Sequence, residues 1–203
     1  MEYVLGLGSK GAVFADVGAG TGIFTRELAK RGADVFAVEP NDDMREQLLP
    51  LSEEFANVKI ISAAAEETTL ADNSIDVITV AQALHWFDAA AFAQECRRIG
   101  KAGAIVVAVY NNTPGGTSIN LSKDSTVEFF KNPTIREFPN PIKYSREKWI
   151  TYMTSHSYDP LPSDPLFEAH MTEVNAVFEE ENINGFVHRE IVTTVYHQEA
   201  SKL

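Results

Sequence analysis

A chain of 203 residues, 44% hydrophobic and 23% charged, has the length and composition of one globular domain, able to bury roughly 70% of its unfolded surface. Its formal net charge of −12 argues against a nucleic-acid backbone as partner, since that contact needs clustered Lys and Arg. The apolar runs are far shorter than the ~20 residues that cross a bilayer, and the lone Cys96 excludes an internal disulfide or a multi-cysteine metal site.

In chain order, Met1 to Lys10 lacks the basic and apolar regions of a secretory signal, so a cytoplasmic protein is expected. Ala12 to Val17 is a short apolar run ending at an acid and a glycine cluster, and a helix is expected from Gly22 to Arg31, closed by Gly32. Val35 to Val38 reads as the second strand. Asn41 then caps a helix whose buried stripe is Met44, Leu48 and Leu51. Val58 to Ile61 is the third strand and Ile75 to Val80 the fourth. Asp88 caps the next helix, with Phe92, Cys96 and Ile99 on its inner face, and Gly100 and Gly103 bracket a turn into a fifth strand, Ala104 to Tyr110.

Strands this apolar, alternating with helices, predict an α/β fold with a doubly wound, mostly parallel sheet and ligands beyond the carboxyl ends of its strands. After Tyr110 the texture changes. Asn111 to Asn120 is a Gly-, Pro- and Thr-rich loop, Asp124 to Lys131 and Ser145 to Ser155 read as short helices, and Glu137 to Tyr144 is an edge strand at best. Tyr158 to Pro165 is a linker. Asp164 and Pro165 then open a long helix with Phe167, Met171, Val174 and Phe178 on one face. Val187 to His197 is expected to be one closing strand. The whole chain, 1–203, is expected to form one domain. Residues 1–110 would be the ligand-binding core, 111–185 a helical cap inserted after the fifth strand, and 186–198 the closing strand. The final Ser201-Lys202-Leu203 matches a peroxisomal address and is taken as coincidence.

The motif that carries most chemistry is Asp16-Val17-Gly18-Ala19-Gly20-Thr21-Gly22, between a strand and a helix N-terminus. Glycines there let a ligand lie against bare backbone beside free N–H groups. A dinucleotide site wants G-x-G-x-x-G; here Ile23 stands where its third glycine would be. Asp16 would repel a pyrophosphate and attract an α-ammonium, which favours S-adenosylmethionine (SAM) over NAD. Glu39 ends the second strand, where an acid can accept from both ribose hydroxyls of either ligand. Pro40 and Met44 would lie against the adenine, although Met44 reads equally well as helix core.

On these residues the chain resembles the class I SAM-dependent methyltransferases, of the small-molecule group called type 11. The resemblance covers roughly residues 10 to 110 and rests on Asp16 to Gly22, Val38-Glu39-Pro40, Ala65-Glu66, Leu70 to Asp76 and Ala81-Gln82-Ala83-Leu84-His85-Trp86-Phe87-Asp88. The last segment is similar to trans-aconitate methyltransferase-like enzymes. The resemblance implies a Rossmann-like sheet, with Ala64, Ala65 and Glu66 bordering the adenine and Ala81 and Gln82 near the methionine part of SAM. It also implies a small-molecule methyl acceptor and S-adenosylhomocysteine as product. The stretch around Trp149, Ser157 and Tyr158 resembles that subgroup more loosely. Thr69 and Ala71 stand where prolines are common. The family's helical segment before the first strand is reduced to about ten residues here, which bears on the lid more than on the cofactor site.

On the acceptor side His85 is the candidate catalytic base, or else a residue shaping the loop under Trp86. Trp86 and Phe87 either wall the pocket or staple the helix that starts at Asp88. Phe129, Phe130, Trp149 and Tyr152 either line an acceptor pocket or pack the cap. Lys143 and Arg146 read as a solvated face, with a clamp for an acidic substrate as the alternative. His156, His170, His188 and His197 have no metal-ligand spacing, so no metal site is expected. The acceptor and the oligomeric state are left open. Two alternatives to a methyltransferase also stay open, a non-catalytic SAM-binding protein of the same fold and an NAD-dependent oxidoreductase.

Overall fold

A computed structural model describes residues 1–113, 126, 128–155 and 159–203. The chain divides into two compact units, one of Met1–Phe138 with Thr193–Leu203 and one of Pro139–Val192.

The first unit is built on a seven-stranded sheet. Its first five strands are β1 (Val13–Val17), β2 (Asp34–Val38), β3 (Val58–Ile61), β4 (Ile75–Ala81) and β5 (Gly100–Asn112). β1 pairs in parallel with both β2 and β4, β2 with β3, and β4 with β5. Two further strands, β6 (Thr134–Pro139) and β9 (Val192–Glu199), complete the order β3-β2-β1-β4-β5-β9-β6. Successive side chains alternate across a pleated strand, and here both faces are covered. Ala15, Val17, Ile78, Val80, Val106 and Ala108 pack on one side with Phe92, Cys96 and Ile99 of the helix α5 (Ala89–Ile99). Phe14, Val35, Val77, Val107 and Val109 pack on the other with Leu28 of α2 (Ile23–Ala29) and Val4 of the short α1 (Glu2–Leu5). That two-sided burial is why the strands read as unbroken apolar runs.

Connections run one way from β1 to β3 and the other way from β4 to β5, so the sheet has its switch point between β1 and β4. A crevice beyond the carboxyl ends of strands at such a point is where α/β sheets bind ligands. The polar signals around it act as expected. Asp88 Oδ1 accepts from Ala91 N at 2.8 Å and caps α5, and Asn41 Oδ1 accepts from Met44 N at 3.0 Å.

Several expectations are corrected. The helix after Asn41 is two, α3 (Asp42–Leu48) and α4 (Pro50–Glu54), because Pro50 lacks the N–H to continue α3 and opens a new helix instead. Leu48 and Leu51 are fully buried, but Met44 is 43% exposed. The turn expected at Gly100 to Gly103 lies inside β5 as an irregularity: pairing shifts from Ile75 with Gly100 to Val77 with Ile105, and Gly103 takes φ +81°. The expected closing strand is divided. β8 (Phe186–Arg189) pairs antiparallel with β7 (Ile142–Ser145), while β9 belongs to the large sheet. One β-branched run thus serves two sheets, with Glu190 and Ile191 between them. Glu137 to Tyr144 likewise contributes to both β6 and β7. The long helix, α7 (Phe167–Glu181), starts after Leu166; Asp164 Oδ1 accepts from Leu166 N at 2.8 Å ahead of it. Most of the loop expected at 111–120, and the start of the helix expected at 124, lie outside the described residues.

The second unit packs β7, β8, α6 (Arg146–Met153) and α7 around Tyr144, Trp149, Val174, Phe178 and Val187. Trp149 Nε1 donates to Val174 O at 2.9 Å, which satisfies the polar end of a buried indole. Among the described residues no helix is long and apolar enough to cross a membrane.

Phe92 is fully buried between α5 and the sheet. Phe92→Ala is expected to lower the free energy of unfolding by about 3–5 kcal/mol, read from urea denaturation; a loss below about 1 kcal/mol would contradict this packing.

Candidate functional site

The glycine turn leaves β1 at Val17. Gly18 N and Ala19 N both donate to Val38 O, at 2.9 and 3.0 Å, which ties the turn to the end of β2. Gly18, Gly20 and Gly22 all have positive φ, at +69°, +57° and +83°, a region that side chains enter at a cost. Packing separates the three. A Cβ at Gly18 would lie 2.8 Å from Ala83 Cβ and 3.0 Å from Phe87 Cζ, and one at Gly22 would lie 2.4 Å from Leu48 and from Leu51. Gly18 and Gly22 are therefore needed for the protein's own packing. A Cβ at Gly20 would meet only Met44 Sδ, at 4.0 Å. The middle of the turn faces open space.

Asp16 does not reach into that space. It is 1% exposed, and its register partner on β4 is Thr79. Thr79 Oγ1 donates to its Oδ1 at 3.0 Å and Thr25 Oγ1, in the first turn of α2, to its Oδ2 at 2.6 Å. The carboxylate expected to attract a ligand ammonium is thus held in a bond set joining β1, β4 and α2. Burial raises its pKa to about 6, against the lowering effect of the two hydroxyls, and the charge of Glu39 pushes the same way as burial.

Glu39 follows the end of β2 and is only 5% exposed. Its Oε2 accepts from Gly20 N at 2.8 Å and its Oε1 from Asn41 N at 2.9 Å. Arg45, ion-paired with Asp42, donates to Glu39 O at 3.1 Å and Pro40 O at 2.6 Å. Pro40 and Met44 are exposed beside it. Strand pairing thus brings Gly18 to Gly22, Glu39, Pro40 and Met44 to one place.

Ala65 is buried and Ala64 exposed. Glu66 Oε1 accepts from Asp88 N at 2.9 Å, so this carboxylate supports the turn before α5. At the end of β4, Ala81 is half-buried and Gln82 takes φ +58°, its N–H donating to Val109 O at 3.0 Å. A non-glycine residue in that region at a strand end is stored strain, which concentrates at binding sites. A single 3₁₀ turn, Leu84–Trp86, follows. Phe87 packs edge-on against Phe92, centroids 4.9 Å apart, and against Gly18. It staples α5, being the residue before its cap, and holds this turn against the glycine turn. His85 and Trp86 are left exposed, Trp86 at 66%, with ring centroids 5.1 Å apart. Desolvation holds the His85 pKa below its ordinary 6.5.

Of the two readings open for the cap aromatics, the structure places them in packed clusters. Trp149 is 2% exposed in the core of the second unit, and Tyr152 stacks on Tyr144 at 4.9 Å in the same cluster. The Trp149 indole, with its N–H bonded to Val174 O and Arg189 over its ring, packs the second unit, and Tyr152 is half-buried beside it. Phe129 and Phe130 are buried in the first unit's core. Arg146 packs over Phe178 and pairs with Glu179, and Lys143 is exposed. His156, Ser157 and Tyr158 lie outside the described residues. Sequence reasoning missed Thr25, Thr79 and Arg45. A hydroxyl nine residues after a strand-end acid was the available signal for Thr25; nothing local marked the other two.

Residues 15–108 match the family described as Methyltransferase domain. Over that segment the chain is similar to methyltransferases. Across 96 residues it is 41% identical to an uncharacterized methyltransferase of Mycobacterium tuberculosis, an alignment covering 47% of this chain and 38% of that protein. The chain thus spans well under half the length of that relative. Among solved structures it is similar to a candidate type II methyltransferase from Anaeromyxobacter dehalogenans, with a TM-score of 0.68 at 18% identity over 98% of this chain and 94% of that one. It is also similar to the geranyl diphosphate C-methyltransferase of Streptomyces coelicolor A3(2), solved with Mg2+, geranyl diphosphate and S-adenosyl-L-homocysteine, with a TM-score of 0.56 at 13% identity over 98% and 76%. At these identities the two structures show the fold, a Rossmann-like methyltransferase sheet.

The raised pKa of Asp16 gives the first unit a pH signature. Its usual value is 3.8, so the folded state holds the proton more tightly than the unfolded chain between 3.8 and about 6. This group's contribution to stability is therefore full below pH 3.8 and lost as pH rises through 6, by about 3 kcal/mol in all. Asp16→Asn keeps a donor and an acceptor for the two threonines without the charge. Urea melts should show wild type losing stability relative to Asp16→Asn as pH rises from about 4 to 7; parallel profiles would contradict the buried carboxylate.

Proposed function

We propose that this chain transfers a methyl group from SAM to an O, N or C atom of a small-molecule acceptor. The observation that carries the reading is the open face of Gly20 beside the Glu39 carboxylate and the exposed Met44. A ribose fits on Glu39, an adenine against Pro40 and Met44 with Ala64, Ala65 and Glu66 at its border, and a methionyl chain along the turn toward Ala81 and Gln82. SAM brings an electrophilic methyl on a sulfonium that leaves as a neutral thioether, so no acid is needed. The protein's part is alignment, an effect that can reach about 7–11 kcal/mol. The geranyl diphosphate enzyme, similar in fold and solved with S-adenosyl-L-homocysteine, supports the cofactor and a small acceptor.

On the acceptor side His85 serves as general base where the acceptor keeps its proton at neutral pH. Its lowered pKa keeps the imidazole neutral and able to accept. Trp86 offers an exposed ring as a wall for the acceptor, and the Ala81 to Asp88 segment is our ground for placing the chain near trans-aconitate methyltransferase-like enzymes.

Gly20→Val should abolish SAM binding in calorimetry while the fold persists by circular dichroism; unchanged affinity would refute the proposed cradle. With methyl-labelled SAM and a metabolite extract, wild type should label a small product. His85→Gln should lower that rate about 100-fold or more with SAM affinity unchanged; an unaltered rate removes His85 as the base.

A further inference from the structure

The Glu39 carboxylate is already engaged in the free protein, and by the turn that would receive the cofactor. Gly18 N and Ala19 N reach the carbonyl of Val38, but the turn then moves away from β2. The Gly20 amide goes instead to Glu39 Oε2, at 2.8 Å. Ala19 packs against the Ala37, Leu48 and Leu51 cluster, but at Gly20 the Cβ direction is open, so no packing of its own holds that residue. At Gly20 itself the restraint comes from the hydrogen bond to Glu39.

The acid is itself held. Its second oxygen accepts from Asn41 N at 2.9 Å, its N–H donates to Ile61 O at 3.0 Å, and its carbonyl accepts from Arg45 Nη1 at 3.1 Å. Arg45 also takes Pro40 O and pairs with Asp42 at the start of α3. Backbone and carboxylate are thus fixed from β3, from the cap of α3 and from its first turn.

We infer that Glu39 is a positioning residue for the glycine turn, holding Gly20 N–H in place before any ligand arrives, in addition to offering the ribose an acceptor. Each carboxylate oxygen has two lone pairs, so one on each remains for a ribose hydroxyl while the amide bonds persist. Hydrogen bonds to an ionised acceptor are the stronger kind. Ribose binding and the shape of the turn are therefore coupled through one side chain. Glutamine cannot replace it: its single carbonyl oxygen accepts from one amide, and its Nε2 turns a donor toward the other.

The inference rests on the SAM reading above for its ligand arm, and that arm compares S-adenosylhomocysteine with its 2′,3′-dideoxy analogue in calorimetry on wild type and Glu39→Gln. If Glu39 served the ribose alone, the substitution would weaken the parent compound and leave the dideoxy analogue unchanged; that result overturns the inference. The expected result is a loss of about tenfold or more for the dideoxy analogue as well. Failure of wild type to bind S-adenosylhomocysteine would count against the SAM reading instead. Amide hydrogen exchange on ligand-free wild type needs neither ligand nor variant. Gly20 N–H should be protected at least tenfold over its free-peptide rate, and exchange at that free rate overturns the inference even if Glu39→Gln fails to fold.

Discussion

Because β1 pairs in parallel with β2 on one side and β4 on the other, three strand ends arrive together at one edge of the sheet, bringing the glycine turn, Glu39 and Gln82 with them. Everything functional in the first unit follows from that pairing. The turn is tied to β2 through Val38, the acid at the end of β2 is tied back to the turn through Gly20, and the segment after β4 is pressed onto the turn through Ala83 and Phe87. Parallel strands need helical crossovers, and α2 and α5 cover the two faces that make those strands wholly apolar.

The two acids that drew attention in the sequence divide their work by depth. Asp16 sits beneath the turn, buried and bonded by two threonine hydroxyls and the Thr25 backbone N–H, and its burial raises its pKa. Keeping a carboxylate there costs stability at neutral pH, which makes it a candidate for stability exchanged for function. Glu39 sits at the turn's edge, each of its oxygens bound to one backbone amide. The argument for SAM over a dinucleotide therefore rests less on Asp16 repelling a pyrophosphate than on the open cradle at Gly20, the missing third glycine at Ile23 and the match of residues 15–108 to the methyltransferase domain.

Much of this was legible in the sequence wherever a local signal has one structural meaning. β3 and the Asp88 cap stand where they were expected, because apolar runs between turn residues and a cap before a periodic helix are read within a few residues. Glu39 was legible as a site residue from its place after the second strand. The direction in which Asp16 points was not, since it depends on Thr79 across the sheet, 63 residues away. The division of the closing run between β8 and β9 was hidden because β-branched residues favour strands without saying which sheet they join. Trp149 read equally as pocket wall or cap core, because composition cannot tell an aromatic core from an aromatic wall. Only the Val174 carbonyl at its N–H decides the matter.

The central claim is that the Gly18 to Gly22 turn with Glu39 is a SAM site. Calorimetric titration of the intact chain with S-adenosylmethionine and, separately, with NAD(H) tests it most directly. The account predicts saturable one-to-one binding of S-adenosylmethionine in the micromolar range and no heat from NAD(H). Binding of NAD(H) with no response to S-adenosylmethionine would contradict it.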